Sequence, residues 1–548
     1  MFKKIISIIL LIFFYQPFTN AQNVKNVILL IPDGASTDLL ALSRWYSGTN
    51  KLAIDELICG MVKTHSADST IADSAPAGTA MATGHKSITK YIGVDANRTP
   101  RISILEQAKL RGMATGVVVT CQFPHATPAA FVCHHVNRDD YPILSKQFIS
   151  NSPTLVFGGG KKYIDENNLE PLLNNEGIII ISNLNDFRAL QEIRNNQPVW
   201  ALFSDWNSNS KYLSYSCDRN ENHEPSLAEM THKAIQILSK SGNGFFLMVE
   251  GSQIDWAAHV NDPKAIVTEF LAFNESVAVA LEFAKQNGET AVIVCPDHGN
   301  GGISIGNMES GDQSSNPNKY DKVNVHKRVV EPLQAVTHSS RWVVETILNE
   351  LESNKLTFNP IKIDTLIANN YTVNLSDNEL HSLINSLEWY RTNVKTNSKA
   401  AGDTLSKAQV LLGRKLSQKL FIGWTTTGHT SEDVFLGVYH PQNDRPFGVV
   451  DNTEIAIYIQ RILGLNVVTN NTQEQFYCLL PTDSFPGWAR VSSNPLVFKT
   501  IGTSLEIPYN TNYYFLNGKK RYQSLLTIAI DEKVYVSSEV YKLLQNLR

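Results

Sequence analysis

Four short apolar runs, each ending abruptly in polar residues, constrain the fold of this 548-residue chain more than any other feature. Runs of this length without polar alternation are typical of strands buried on both faces of a sheet. The sequence therefore predicts an α/β fold with a mostly parallel central sheet and helices on both faces. In such sheets ligands gather beyond the carboxyl ends of the strands, where these polar residues lie. The runs are VILLI at 27–31, GVVVT at 116–120, FFLMV at 245–249 and AVIVC at 291–295.

Helical patterns separate these runs, as such a fold requires. Asp262-Pro263 opens a long amphipathic stretch that continues to Gly288. The segment 101–112 is apolar on one face and ends in Arg-Gly, which is a typical helix stop signal. The alternation of strands and helices supports a sheet that is covered on both sides.

Two parts of the chain differ in composition from this core. Residues 302–419 begin with a polar, Asn- and Ser-rich stretch and continue as helical patterns, which we interpret as a large insertion. After about Thr482, strand-like runs flank Asn517-Gly518, which is a hairpin signal, and a short helical pattern follows. The predicted organisation is a core at 22–482 that carries the insertion, followed by a small α+β module at 483–548.

The amino terminus has the layout of a secretory signal. Lys3 and Lys4 precede an apolar run at 5–15, and Ala21 ends a small-residue cleavage site. The run is short for a membrane span, so we expect residues 1–21 to be removed and the mature protein to be periplasmic or secreted, with no stable span. The net charge of −4 gives no electrostatic footprint for nucleic acid. Six cysteines without a C-x-x-C pair are too few for a chain of this size to depend on disulfides.

The stretch STIADSAPAGTA at 69–80 crowds small residues around Ser74. Pro76 suits the first turn of a helix and Gly84 suits its end, so Ser74 is expected at a helix N-terminus. Free N–H groups and the helix dipole favour an anion there, which makes Ser74 a candidate nucleophile toward a phosphate-like substrate. The alternative is an ordinary N-cap and turn, because such caps are common.

An acid-rich motif follows the run at 245–249. Glu250 ends the run, and Asp255 and His259 lie four residues apart, on one face of a helical turn. Asp with His is a natural zinc pair, and Glu250 adds a hard oxygen ligand. The alternative is a surface helix, where Asp/His pairs at this spacing are also common.

Further candidate ligands lie at other strand ends. Asp33 and the pair Asp297-His298 directly follow apolar runs. His429 precedes another apolar run, VFLGVY at 434–439, which we expect to be a core strand. An ordinary turn would also explain the Asp-His pair. These residues are therefore candidate metal ligands only if the fold brings them together.

The segment HATPAAFVCHHVNR at 125–138 contains Thr127 and Arg138. The planar guanidinium of arginine suits two-point recognition of a phosphoryl group. An ordinary surface arginine is the alternative interpretation.

Taken together, these motifs resemble the motif series of the alkaline phosphatases. The resemblance rests on five separated motifs in the family's chain order, and it covers about 26–470 apart from the insertion. Agreement of five motifs in residue type and spacing is not a chance event. The motifs are DSAPAGTA, HATPAA followed by Arg138, EGSQIDWAAH, PDH and TTTGHTSEDV.

The resemblance implies a role for each residue named above. Ser74 matches the family's nucleophile, and Arg138 matches the arginine that clamps phosphate. Ligand hardness supports the implied metals, because histidine-containing sets suit zinc and an all-oxygen set suits magnesium. The implied sets are Asp255, His259 and His429 for one zinc, Asp33, Asp297, His298 and Ser74 for a second zinc, and Asp33, Thr127 and Glu250 for one magnesium.

The implied activity is hydrolysis of small phosphate monoesters by double in-line displacement through a phosphoserine. In this mechanism the small residues around Ser74 are expected to leave room for two metal ions and a phosphoryl group. Two alternatives remain open. One is a superfamily relative that acts on phosphodiesters or sulfate esters, and the other is a non-catalytic exported protein that binds phosphate or metal.

Three features depart from many bacterial members of the family. His125 stands where many have aspartate and Trp256 where many have lysine, which resembles another branch that includes some marine bacterial enzymes. We do not expect His125 to bind a metal directly. We expect both side chains to contact phosphate or magnesium-bound water, or else only to fill space. The insertion has two interpretations: a cover over the site, or a contact between the subunits of a homodimer.

Overall fold

The computed structural model describes residues 23–193, 197–205, 211–306, 325–353, 355–394, 398–467, 472–481, 489–493, 495–500 and 502–546. The predicted signal segment and the polar start of the insertion, at about 308–322, lie outside these ranges. Within the described residues, no helix combines the length and apolar character needed to cross a membrane.

A ten-stranded sheet forms the centre of the fold and contains all four apolar runs. Neighbouring strands pair in parallel except at Val434–Tyr439, which is antiparallel to both of its neighbours. The mostly parallel α/β sheet expected from the sequence is therefore confirmed. In spatial order its strands are Gly448–Asp451, Ile58–Lys63, Val434–Tyr439, Thr290–Val294, Asn26–Ile31, Phe245–Glu250, Ala114–Gln122, Leu155–Gly159, Val199–Leu202 and Ile179–Ile181.

The sheet divides the interior into two hydrophobic cores. In the strand Asn26–Ile31, Ile28 and Leu30 pack in one core, whereas Val27 and Leu29 pack in the other. This follows from strand geometry, since successive side chains point to opposite faces. All six residues of the strand are buried, which explains why the sequence has no polar alternation there.

Helices cover both faces of the sheet, and the predicted start and stop signals hold. The longest helix, Pro263–Asn287, is capped by Asp262 and ends at Gly288, whose φ is +71°. The other helices of the core are Asp38–Ser47, Ser74–Thr83, Ile104–Leu110, Ala126–Val132, Tyr141–Asn151, Lys161–Glu166, Glu170–Asn175, Leu184–Ala189, Leu227–Leu238, Gln253–His259 and Asn452–Ile462, with a 3₁₀ turn at Ala53–Glu56.

The insertion is helical, and its two chain connections to the core lie next to each other. The short strands Ile303–Ile305 and Ile422–Trp424 pair antiparallel at its base. The chain therefore leaves and re-enters the core side by side, as an insertion between two core segments should. Its described helices are Glu331–Gln334, Ser340–Glu352, Pro360–Tyr371, Asp377–Asn393 and Ser398–Lys419, preceded by a π-helical turn at His326–Val330.

The C-terminal part is a small α+β unit that ends in the helix Ser538–Asn546. The expected hairpin is present: Asn517 and Gly518 have φ of +50° and +76°, as a tight hairpin turn requires. Its three-stranded sheet includes Tyr477–Leu479, so this unit begins before the expected boundary, which itself falls outside the described residues. One sheet consists of Ala489–Ser493, Leu496–Thr500, Thr503–Ile507, Tyr513–Leu516 and Lys519–Tyr522, and the other of Tyr477–Leu479, Lys533–Ser537 and Ile528–Ile530.

A buried polar network connects this unit to the core. The Tyr477 hydroxyl donates to Glu106 Oε1 at 2.8 Å, and His134 Nε2 lies 3.0 Å from the same oxygen. All three side chains are buried. Burial alone would raise the pKa of Glu106, but the adjacent His134 lowers it below its usual value, so the carboxylate stays ionised. Glu106 also accepts a hydrogen bond from the Ser103 backbone N–H at 2.9 Å, so the network extends to the start of the helix Ile104–Leu110.

We predict that Tyr477→Phe destabilises the protein by about 1.5–3 kcal/mol, the usual contribution of a hydrogen bond to a charged group. The measurement is the urea midpoint at fixed pH with metals saturating. The matched control is Tyr514→Phe, whose hydroxyl has no hydrogen bond within the described part of the chain. Equal midpoints for the two variants would contradict the role of this network.

Candidate metal centre and nucleophile

Ser74 is the first residue of the helix Ser74–Thr83 and is only 2 % exposed. Asp73 caps this helix by accepting a hydrogen bond from the Ala75 backbone N–H at 2.6 Å. The hydroxyl therefore lies at the positive end of the helix dipole, as the sequence predicts. The position suits a nucleophile that attacks an anionic substrate.

The small residues of this helix allow close packing against a neighbouring helix as well as leaving space at the site. A side chain at Gly78 would lie 3.2 Å from Ala130 Cβ and 3.4 Å from Thr127 Cα. The helix thus packs directly on Ala126–Val132, which carries Thr127 to the site. At Gly78 the small residue allows this close helix packing, because the position faces the neighbouring helix.

Asp255, His259 and His429 converge on one point, although His429 lies 170 residues beyond His259 in sequence. His259 Nε2 is 3.3 Å from Asp255 Oδ2, and His429 Nε2 is 3.5 Å from Asp255 Oδ1. The two Nε2 atoms are 3.2 Å apart. This cluster of one carboxylate and two imidazoles has the composition of a three-ligand zinc site that leaves a position open.

Backbone hydrogen bonds orient both imidazoles for metal binding. His259 Nδ1 lies 2.7 Å from the Thr427 carbonyl oxygen, and His429 Nδ1 lies 2.8 Å from the Ala72 carbonyl oxygen. A carbonyl only accepts, so each Nδ1 carries a proton and each Nε2 is the nitrogen available to bind a metal. Two Nε2 atoms this close to each other and to a carboxylate form a site that a cation, either a metal ion or a proton, stabilises.

A second cluster contains Asp33, Asp297 and His298, all fully buried. His298 Nε2 is 3.3 Å from Asp297 Oδ2 and 3.7 Å from Asp33 Oδ1. The same Nε2 lies 3.3 Å from Ser74 Oγ. The Gly34 backbone N–H donates to Asp297 Oδ1 and fixes that carboxylate. The structure thus brings Ser74 to this set, as predicted.

A third group of oxygens lies around Glu250. Glu250 Oε1, Thr127 Oγ1 and both carboxylate oxygens of Asp33 are buried without a hydrogen-bond partner among the described residues. His125 and Cys121 each place a ligand atom within 4.8 Å of a Glu250 oxygen. Buried polar groups are rarely left unsatisfied, so these oxygens fit a bound hard cation such as magnesium.

The charges of the site lead to the same conclusion. Burial, and after it the Asp297 carboxylate, raise the pKa of Glu250 to about 8. Burial and the Asp255 carboxylate raise the pKa of Asp297 to about 6, and burial with Asp297 raises the pKa of Asp33 well above its usual range. Several buried carboxylates this close together repel one another unless cations neutralise them.

Arg138 is held beside the nucleophile by its hydrogen bonds. Its Nη1 donates to Asp73 Oδ1 at 2.7 Å, and its Nη2 lies 3.2 Å from His125 Nε2. Asp73 thereby caps the Ser74 helix and positions the arginine at the same time. The guanidinium is placed to contact a phosphoryl group over Ser74.

Trp256 and His125 lie next to the ligands and contact each other. Their ring centroids are 5.8 Å apart in an edge-to-face arrangement. Burial, followed by the charge of Arg138, lowers the pKa of His125 to about 3, so its imidazole is neutral. Trp256 also packs edge-to-face on Tyr212, at 5.2 Å. Both predicted positions therefore border the site without adding a positive charge to it.

Sequence reasoning missed three residues that the structure places at the site. Asp73, directly before Ser74 in the sequence, accepts a hydrogen bond from Arg138 and orients it. Asn300 Nδ2 donates to Asp255 Oδ1 at 2.7 Å. Cys121 Sγ lies 3.8 Å from Glu250 Oε2. The only sequence signal was that Cys121 and Asn300 lie close to the ends of apolar runs.

The fold and the site together define a hydrolase class whose site groups metal-binding side chains around a buried serine. The family model for alkaline phosphatase matches residues 24–465. The chain therefore belongs to the alkaline phosphatase family and is an enzyme of that class.

Individual relatives agree with the family assignment. Alkaline phosphatase 4 of Bacillus subtilis is 33% identical over 457 residues, which is 80% of this chain and 89% of the relative. The crystal structure of the cold-active alkaline phosphatase from a Shewanella species is 28% identical with a TM-score of 0.65, covering 80% of this chain and 99% of that one. A variant of the enzyme from the Antarctic bacterium TAB5, solved with Mg bound in its M3 site, shares the fold at 24% identity and a TM-score of 0.56, over 81% of this chain and 99% of that one.

We predict that the native enzyme holds two zinc ions and one magnesium ion per chain and that exhaustive chelation lowers its thermal midpoint. Elemental analysis and melting curves measure this directly. A single bound metal, or full activity with an unchanged midpoint after chelation, would contradict the three ligand sets.

The metal-free protein should also lose stability as pH rises from about 7 to about 9. Glu250, with a folded pKa of about 8, and His259, whose pKa Asp255 raises to about 9 against the effect of burial, both hold protons that the unfolded chain has released. A raised folded pKa stabilises at low pH, and this contribution is lost as pH rises through it. A metal-free midpoint that is flat or rises over this range would contradict the close approach of these groups.

Proposed function

We propose that this protein hydrolyses phosphate monoesters in two steps through a phosphoserine at Ser74. The observation that carries the proposal is the position of the buried Ser74 hydroxyl, which lies at a helix N-terminus, 3.3 Å from His298 Nε2 and beside the Arg138 that Asp73 orients. No other described serine combines these three neighbours.

In the first step Ser74 Oγ forms a bond to phosphorus, and the ester P–O bond breaks on the opposite side. The leaving alcohol takes up a proton. In the second step a water oxygen attacks the phosphoserine, inorganic phosphate leaves and Ser74 Oγ regains its proton. Arg138 and the helix N-terminus hold the remaining phosphoryl oxygens in both steps.

The three ligand sets assign the metals of the proposal. Zinc fits Asp255, His259 and His429, and also Asp33, Asp297 and His298 with Ser74, whereas magnesium fits Asp33, Thr127 and Glu250. When bound, such ions lower the pKa of a hydroxyl or water and neutralise the charge of the phosphoryl group. The orientation of each imidazole by a backbone carbonyl prepares the chain to bind them.

Preference for monoesters over diesters or sulfates follows from charge. A monoester dianion carries one more negative oxygen than a diester or a sulfate ester, and Arg138 together with a third cation site compensates it. Rates on a monoester, a diester and a sulfate ester with one leaving group test this preference. Faster hydrolysis of the diester or the sulfate ester would favour a superfamily relative that acts on such esters. No turnover of any of the three would favour a non-catalytic binding protein.

Export is a further part of the proposal. The charged and apolar N-terminal pattern supports cleavage after Ala21 and a periplasmic or secreted mature protein. N-terminal sequencing of the native protein should begin at Gln22 or within a few residues, and an intact Met1 would contradict export by this signal. We also propose a homodimer, and sedimentation of the mature protein tests it.

We predict that Ser74→Ala abolishes phosphoserine formation and lowers turnover by orders of magnitude, because the variant lacks the attacking oxygen. Ser69→Ala, in the same segment but away from the ligands, is the control and should stay within about twofold of the parent. Acid trapping followed by peptide mapping locates the phosphate. Phosphate on Thr70 or Thr79 instead of Ser74 would refute the assignment.

We predict that Trp256→Lys, combined with His125→Asp, tightens inhibition by inorganic phosphate. A positive charge at active-site distance is worth about 1–3 kcal/mol at an effective dielectric constant of ~20, and each ~1.4 kcal/mol is tenfold in affinity. Trp389→Lys, which adds the same charge at an exposed position of the insertion, is the control. The measurement is the phosphate inhibition constant at fixed pH with metals saturating. Unchanged or weaker inhibition with all metals bound would show that these positions do not set product affinity.

A further inference from the structure

A cavity of about 450 Å³ opens beside His259, between the core and the insertion. The core contributes Tyr212 and Trp256 to its wall, and the insertion contributes Arg341, Glu345 and Gln409. The insertion therefore forms part of the wall of this cavity, while its role as a cover over the site or as a subunit contact stays a prediction. Because His259 belongs to a metal set and also lines the cavity, the cavity is positioned to receive the part of a substrate that points away from Ser74.

Arg341 places a positive charge in the wall of this cavity. Its guanidinium carbon lies 3.7 Å from the centroid of the Tyr215 ring, 5.2 Å from that of Tyr212 and 5.6 Å from that of Trp256. Its Nη1 donates to Gln253 Oε1 at 2.9 Å. Because Gln253 begins the helix that carries Asp255 and His259, the cation is tied directly to the metal-binding helix.

The cation has no carboxylate partner within 4.0 Å in the part of the chain that the structure describes. Glu345, one turn further along the same helix, lines the same cavity without reaching it, and burial raises the pKa of Glu345 to about 7. Lys211 is a second cationic residue of the lining. Burial lowers the pKa of Lys211, so Arg341 supplies the permanent positive charge of the wall, and a desolvated arginine favours an anionic partner.

Two buried polar groups of the lining also lack partners. The Tyr215 side chain is 1 % exposed and Gln122 is 3 % exposed, and neither the Tyr215 hydroxyl nor Gln122 Oε1 has a hydrogen-bond partner among the described residues. An unsatisfied buried polar group is costly, and the Tyr215 hydroxyl can donate to an acceptor on a ligand, whereas Gln122 Oε1 only accepts and does not favour an anion.

We propose that this cavity is the subsite for the leaving alcohol and that it selects alcohols bearing a second anionic group. The anionic group binds Arg341 and accepts a hydrogen bond from Tyr215, while the carbon skeleton packs against Tyr212 and Trp256. The inference rests on the proposed phosphomonoesterase activity and narrows its substrate class to monoesters of hydroxy acids and similar doubly anionic compounds.

The test compares carboxyphenyl phosphate with carbamoylphenyl phosphate, as meta and para isomers, on the holoenzyme. The two esters have nearly the same shape and differ by one charge. Arg341→Gln should lower the carboxy-to-carbamoyl ratio of kcat/KM about 10- to 100-fold, the range for loss of a hydrogen bond to a charged group. Leaving-group reactivity cancels, since each ratio is compared between enzyme variants.

Arg391→Gln is the matched control. Arg391 also stacks on an aromatic ring, Phe358 at 5.5 Å, but it is exposed and lies outside the cavity lining. This variant should keep the parent's ratio. An Arg341→Gln enzyme that loses activity equally on both esters, or keeps the parent's ratio for both isomers, would overturn the proposal.

Tyr215→Phe tests the same subsite without removing the cation. It deletes an unpartnered hydroxyl, so the fold should be as stable as the parent, and the carboxy-to-carbamoyl ratio should fall several-fold. An unchanged ratio in this variant counts against the proposal. Unsubstituted phenyl phosphate distinguishes failure of the subsite proposal from failure of the proposed activity. Its hydrolysis by the parent shows phosphomonoesterase activity whether or not the enzyme prefers the carboxylate.

Discussion

Repulsion among carboxylates buried at the carboxyl ends of adjacent strands is the constraint on which the site depends. Asp33, Glu250 and Asp297 follow three neighbouring strands of the sheet and share one buried volume with Asp255. Neither carboxylate oxygen of Asp33 has a hydrogen-bond partner among the described residues. Such a cluster is stable only when protons or metal ions neutralise part of its charge, so folding and metal binding are linked.

The fold places the Ser74 hydroxyl at the edge of this cluster of carboxylates. The close packing of two helices at Gly78 brings Thr127 and Ser74 to the same site. Asp73 then serves two purposes, because it caps the Ser74 helix and orients Arg138. The buried negative charge of the site thus favours metal ions, and in the proposed mechanism the positive helix end and Arg138 hold the phosphoryl group.

Much of this could be predicted from the sequence because the chemistry lies at the ends of strongly patterned strands. Asp33, Glu250 and Asp297 are adjacent to apolar runs, and parallel strands bring their carboxyl ends to one edge. The start of the helix at Ser74 could be read from Pro76 and Gly84.

The remaining features depend on contacts between distant segments, which spacing does not reveal. Asp73 meets Arg138 across 65 positions, and His429 Nδ1 meets the Ala72 carbonyl across 357. Arg341 reaches the cavity from an insertion whose helices have no catalytic motif. The packing role of Gly78 and the pairing of Tyr477–Leu479 with the C-terminal sheet also follow from tertiary structure rather than from local pattern.

Two zinc ions beside Ser74 are the part of the proposed function on which the other assignments depend. Anomalous diffraction at the zinc edge, from crystals of native enzyme grown with phosphate, tests it most directly. The account predicts two anomalous peaks, one bounded by Asp255, His259 and His429 and the other by Asp33, Asp297 and His298, with phosphate between them and Arg138. A single zinc peak, or phosphate bound away from Ser74, would contradict it.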